Sequence, residues 1–214
     1  MQTLRLSPGE KQFNCELLSH GMRLDGREFL QQRNFTFEIN PLPLSPSSCR
    51  VIWGHGYGNT TEVIVSVSTE VAQNERASFD LSVKALPGSF GPNVEATDIC
   101  QVIKNILNHF IVNSTALEPK QFIIFNSPYS WKLFIDVLVV KAAGSFFESA
   151  MLGIKESLKT LTFPELIITP GDNANELHFD IDDSKKEKQI IDSEKIPHVY
   201  SFAAYKDTLL IDPT

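Results

Sequence analysis

Trp131-Lys132-Leu133-Phe134-Ile135-Asp136-Val137-Leu138-Val139-Val140 is the most apolar strand-like stretch of the chain, and the fold class turns on it. A run so rich in β-branched and aromatic residues suits the middle of a sheet. Asp136 interrupts it. A structural role, satisfied by backbone or side-chain donors, is expected for this carboxylate ahead of a catalytic one. Downstream, Phe147, Ala150, Met151, Ile154, Leu158 and Leu161 recur at helical spacing and predict a helix over 146–161, with Met151 as core filler. Upstream, 121–125 reads as a strand. Before that, Ile99, Val102, Ile103, Ile106, Leu107 and Phe110 form one apolar stripe, which predicts a helix over 94–111. His109 beside that stripe has no second His or Cys nearby and is read as a helix-end packing residue.

Residues 34–83 carry a β pattern. Phe35, Phe37 and Ile39 alternate with polar residues, as in a half-buried strand. Pro41, Pro43 and Pro46 mark a loop, and 50–53, 62–69 and 77–83 read as further strands. Gly54-His55-Gly56-Tyr57-Gly58-Asn59 joins two of them. It opens a strand instead of a helix and lacks a P-loop lysine, so it is a connecting turn and no phosphate cradle. Ser7-Pro8-Gly9-Glu10 combines an N-cap serine, a proline at the first helical position and a capping-box glutamate, which predicts a helix to about Leu18. Phe13 and Leu17 share one of its faces. Towards the end, 166–169 reads as a strand and 171–195 as a solvated loop or hairpin. Asp180-Ile181-Asp182-Asp183 lacks the glycine and closing glutamate of a calcium loop. A hairpin over 199–204 and 208–211 follows. Helices packed on mixed sheets, an α+β fold, is the class implied.

Composition narrows the function. A net charge of −7 argues against a stand-alone nucleic-acid binder, which needs clustered cations to neutralise phosphate. The six arginines are Arg5, Arg23, Arg27, Arg33, Arg50 and Arg76, so the larger part of the chain has none of the bidentate forks that grip phosphate best. Cys15, Cys49 and Cys100 are few and far apart, which suggests a reducing compartment and no metal knuckle. No run approaches the roughly 20 apolar residues of a membrane span, and the N-terminus has no signal-peptide core.

Arg23-Leu24-Asp25-Gly26-Arg27, placed after a capped helix, resembles the N-terminal signature of RNase PH-domain subunits of the eukaryotic RNA exosome ring. Gly58-Asn59-Thr60 before its strand, the Trp131–Val140 strand with Asp136-Val137, the helix after Gly144, and Ser201 to Thr214 with its Asp212-Pro213 step resemble later landmarks of that family in the same order. The resemblance implies an RNase PH-like (ribosomal protein S5 domain 2-like) α+β fold with mixed sheets and packed helices. It divides the chain into a capped helix and arm over 1–22 and one domain over 23–214, lacking the family's final strands and C-terminal helix.

Active relatives cleave RNA from the 3′ end with inorganic phosphate, and their central strand runs into Ala-Asp-Gly-Gly-Thr-Arg. Here the stretch is Ala142-Ala143-Gly144-Ser145-Phe146-Phe147: Ala143 replaces the aspartate, and Phe146 and Phe147 replace Thr-Arg. Around the first long helix only Lys104 is cationic, and the late hairpin offers only Asp207 in place of an aspartate-rich segment. The resemblance therefore implies a catalytically inactive member with no catalytic, cofactor-binding or metal-binding residue, closest to the non-catalytic archaeal-partner branch. Among ring types, forty-two is nearest and forty-five next. Implied partners are other RNase PH-like subunits in a hetero-hexameric ring, S1/KH cap subunits, exosome nucleases and RNA in the assembled channel. The implied location is nucleus, nucleolus and cytoplasm. The competing expectation is an active phosphorolytic 3′-to-5′ exoribonuclease with a divergent site, in which Lys141 or Asp207 would act.

Overall fold

In the computed structural model, which describes residues 7–56, 59–73, 79–91, 94–124, 128–170, 177–182 and 184–213, the apolar stretch becomes β5 (Tyr129–Lys141) of a five-stranded sheet. Its neighbours are β1 (Phe35–Ile39), β2 (Ser47–Trp53), β3 (Thr61–Gln73) and β4 (Phe79–Ala85), in the order β1-β2-β3-β5-β4. Pairing is antiparallel except between β4 and β5, which are parallel and linked through helix α2 (Ala96–Asn113). A parallel pair needs such a crossover, whereas antiparallel neighbours can be joined by short turns.

α2 and α3 (Phe146–Thr160) cover one face of this sheet. Val63, Val65 and Val67 of β3, Leu133, Ile135 and Val137 of β5, and Leu81 of β4 meet Ile103, Leu107 and Ile111 of α2 and Met151, Ile154 and Leu158 of α3. Gly153 allows α3 to approach closely, since a Cβ there would lie 2.6 Å from Val65 Cγ2. The remaining elements are a helix α1 (Pro8–Ser19), a hairpin of β6 (Leu166–Pro170) and β7 (Leu177–Ile181), and a hairpin of β8 (Phe202–Tyr205) and β9 (Thr208–Ile211). The capping box of α1 forms in full: Glu10 N–H donates to Ser7 Oγ, and Ser7 N–H to the Glu10 carboxylate. All three cysteines are free, and burial pushes the Cys49 thiol up to about 12, with Glu156 adding to the rise.

Several expectations are corrected. Residues 119–122 form a 3-10 turn where a strand over 121–125 was expected, and only Ile123 bridges to Ser130; Pro119 favours the turn start, and Phe125 lies outside the described residues. Asp136 is exposed, because it points to the sheet face that the helices leave open. β1 is exposed along its length for another reason: Phe35, Phe37 and Ile39 pair with Trp53, Val51 and Cys49 on the helix side, but β1 is the sheet's edge strand and the helices leave it largely uncovered. On α2 the stripe is narrower than expected: Val102 and Ile106 face solvent and Cys100 takes part in the core. His109 is solvent-facing and contacts Asn113 instead of packing inward.

Candidate functional site: the turn before α3

The turn that joins β5 to α3 is held from three sides. Gly144 and Ser145 both have positive φ, 77° and 47°. A serine seldom adopts the left-handed region, so surrounding contacts must hold it there. Thr61 supplies two of them: its hydroxyl donates to the Gly144 carbonyl and accepts the Ala143 N–H at 2.9 Å. Arg33 Nη1 donates to the Ala143 carbonyl at 2.7 Å and to the Asn59 carbonyl at 3.0 Å. Gly54 makes room for this arginine. At φ 85°, a Cβ there would lie 2.3 Å from the Asn59 carbonyl oxygen and 3.0 Å from Arg33 Cδ.

Beside this turn sits Asp212, fully buried at the end of β9. Arg33 grips its carboxylate with Nε at 2.9 Å, Nη2 at 2.6 Å and its own backbone N–H at 2.9 Å. Arg27 Nη1 donates at 2.7 Å, and the Ser145 hydroxyl donates to the other oxygen. The Asp212 carbonyl accepts from Arg23 Nη2 and Arg27 Nη2 at 2.9 and 3.0 Å, and the Ile211 carbonyl from Arg23 Nη1 at 2.7 Å. Asp25 pairs with Arg27 at 2.7 Å and Arg23 at 3.3 Å. Three arginines therefore share two carboxylates.

Burial alone would raise the Asp212 pKa. The Arg33 and Ser145 hydrogen bonds, with the Arg33 charge, outweigh it and hold the acid at about 2. Burial, with Arg27 adding, lowers that of Arg23; Asp25 is also held low, since the Arg27 hydrogen bonds and the charges of Arg23 and Arg27 overcome its desolvation.

This knot changes the meaning of the arginine count. Arg23, Arg27 and Arg33 are committed to Asp212, Asp25 and backbone carbonyls, and Arg50 pairs with Glu62 at 2.7 Å. Arg5 and Arg76 lie outside the described residues. Phe146 and Phe147 turn inward: both pack against the core, and Phe146 meets Phe90 edge-on with ring centroids 6.0 Å apart. Lys104 lies 3.9 Å from Asp80 on α2's flank. Asp207 occupies the exposed tip of the β8–β9 hairpin, about 13 Å of strand from the Asp212 end. Lys141 ends β5 opposite Glu62. The structure brings together Ala143, Ser145 and the Arg23–Arg27 signature, but leaves Lys104 and Asp207 apart from them. Among the described residues no group of three or more His, Cys, Asp or Glu side chains is arranged to hold a metal.

Sequence reasoning missed Asp212 and Arg33. A clue existed in the Asp212-Pro213 step, which was read only as a landmark. No pattern in the sequence links it to arginines at the other end of the chain.

No family model matches the chain. It is 26% identical over 216 residues to the exosome complex component RRP42 of Saccharomyces cerevisiae, covering 98% of this chain and 76% of that one. It is 23% identical over 264 residues to the "Putative exosome complex exonuclease RRP42" of Dictyostelium discoideum, covering 98% of this chain and 80% of that protein. Among solved structures it resembles a chain of the Archaeoglobus fulgidus exosome with RNA bound to the active site. The TM-score is 0.69 at 17% identity, with 95% of this chain and 75% of that chain covered. The fold is thus the RNase PH-like fold of exosome cores.

Proposed function

We propose that this chain, a member of the RNase PH-like exosome subunits of the Rrp42 type, is a non-catalytic ring subunit. It scaffolds 3′-to-5′ RNA processing and degradation and forms part of the channel through which RNA is threaded. The observation that carries the non-catalytic reading is the knot on Asp212. Phosphorolysis needs donors free to hold inorganic phosphate beside the bond under attack. At the start of α3 the nearby arginines and the Ser145 hydroxyl are instead occupied by an internal carboxylate. The side chains of Phe146 and Phe147 supply no donor in the next two positions. In this reading the chain sits beside other RNase PH-like subunits in a six-membered ring, under S1/KH caps and with associated nucleases, in the nucleus, nucleolus and cytoplasm.

The second reading, a phosphorolytic exoribonuclease with a divergent site, draws on the word exonuclease in the Dictyostelium relative's name. Incubating single-stranded RNA and inorganic phosphate with the purified chain, alone and with its co-purifying partners, separates the two. No nucleoside diphosphate release by the chain alone is expected, together with recovery of RNase PH-like subunits from cells. Phosphate-dependent release that Lys141→Ala or Asp207→Ala abolishes would overturn the non-catalytic reading. A chain that recovers no such subunits would overturn the ring seat.

A further inference from the structure

Beside the first turn of α3, a pocket of about 160 Å³ opens between β1, β2, α3 and the segment 197–200. Three side chains that line it carry buried polar atoms with no hydrogen-bond partner: Gln32 Nε2, Trp53 Nε1 and Glu148 Oε2. Trp53 is 4% and Glu148 3% exposed, so neither residue can turn to bulk water. An unmet buried polar atom costs on the order of 1–3 kcal/mol. Three in one cavity, two donors and one acceptor, mark a place built for something else to complete. The pocket is also flat-walled. The Phe35 and Trp53 rings stack with centroids 4.5 Å apart and planes 12° apart, and Tyr200 stands at the same cavity.

We propose that this pocket binds a single nucleobase, whose edge donates to Glu148 and accepts from Gln32 and the in-plane Trp53 N–H, and whose ring packs among Phe35, Leu152 and Tyr200. Every nucleobase carries a ring face together with neighbouring donors and acceptors on its edge. Other occupants meet only part of the requirement. An arginine or lysine brings donors alone and leaves Gln32 and Trp53 unmet. A carboxylate brings acceptors alone: Lys155, the cation at the cavity, already pairs with Glu194 at 3.2 Å, and the unmet Glu148 oxygen needs a donor that a carboxylate lacks. An asparagine or glutamine amide matches the hydrogen bonds but has no ring for the wall. The cavity holds one such ring and not a larger ligand, since drug-sized sites run to roughly 300 Å³ or more. Binding here needs only one chain, so its outcome is read separately from that of the ring assignment.

The chain has two tryptophans, and Trp131 lies away from the pocket, which makes the test direct. The ¹⁵N-labelled full chain is titrated with each of the four nucleoside 5′-monophosphates while the two indole N–H resonances are followed, Trp53→Phe assigning them. The expected result is a saturable shift of the Trp53 signal with at least one nucleotide while Trp131 stays still. Glu148→Gln is expected to weaken that nucleotide about tenfold or more, through loss of a charge-assisted bond. Gln32→Ala, which leaves the Ser201 contact of Glu148 intact, is expected to weaken it several-fold. The proposal fails if no nucleotide up to millimolar concentration moves the Trp53 signal, or if both variants bind as the natural chain does. It also fails if ribose 5-phosphate reproduces the shift, or if propionamide does, the latter making the pocket a receptor for a protein side chain.

Discussion

Asp212 and Glu148 are buried carboxylates at the same helix start, both joined through Ser201, and they are treated in opposite ways. Asp212 accepts five hydrogen bonds at its carboxylate, from Arg33, Arg27 and Ser145. Glu148 accepts one, from the Ser201 N–H at 2.5 Å, and its second oxygen has none. A buried charge costs several kcal/mol unless it is paired and hydrogen-bonded. Full satisfaction fixes a group in place and leaves it nothing to offer a ligand. Partial satisfaction leaves capacity that folding has not used. The first carboxylate is therefore structure, closing the β8–β9 hairpin onto the Arg23–Arg33 segment, while the second is available for recognition.

The comparison breaks most visibly at Asp212. Asp212→Ala strips three clustered arginines of their main counter-charge, and a stability loss of about 3–5 kcal/mol is expected from urea unfolding midpoints. A loss under about 1 kcal/mol would mean that the arginines find solvent partners and that the knot braces nothing. Acid gives the same result without mutation. The folded pKa of about 2 lies below the unfolded value near 3.9. The contribution of Asp212 is thus fully present above the unfolded pKa and lost as pH falls through the folded one. Urea unfolding at pH 6, 4, 3 and 2 should show about 2–3 kcal/mol disappearing below about pH 4, and Asp212→Asn should lack that portion of the loss.

Gly54 tests how the knot is seated. Its φ of 85° and the 2.3 Å approach of the Asn59 carbonyl leave no space for a methyl group. Gly54→Ala should cost about 1–3 kcal/mol and disturb Arg33, seen as loss of slow exchange at its guanidinium N–H groups. If the arginine signals are unchanged, the glycine serves the turn alone.

How far these features were legible in the sequence depends on the range of the interactions. The α1 cap spans three residues and was readable in full from Ser7 to Glu10. The strand at Trp131–Val140 was readable from its composition, but the exposure of Asp136 was not, because alternation does not say which sheet face the helices cover. Arg23–Arg27 was visible as a signature, whereas its partner lies 189 residues after Arg23 and appears only once the chain closes. The substitutions at Phe146 and Phe147 were visible. That an internal carboxylate bonds Ser145 beside them was not. Glu148 carried no signal at all: an acid in the first turn of a helix is usually a solvated partner of the helix dipole, and only the packing of the 197–201 segment buries it.

The smallest expected effect is the sharpest test of the contrast. Glu148→Gln keeps a carbonyl oxygen to accept from Ser201 and replaces only the oxygen that had no partner. Without nucleotide its stability should stay within about 1 kcal/mol of the natural chain, even though the residue is nearly as buried as Asp212. Urea unfolding of the two variants side by side makes the comparison. If Glu148→Gln costs as much as Asp212→Ala, the free oxygen is braced by groups such as ordered water that bond it as firmly as arginine bonds Asp212. The two carboxylates would then be alike. If it costs little, the same substitution can report on nucleotide binding without a folding defect to confuse it, and the division of labour at the start of α3 stands on stability as well as on geometry.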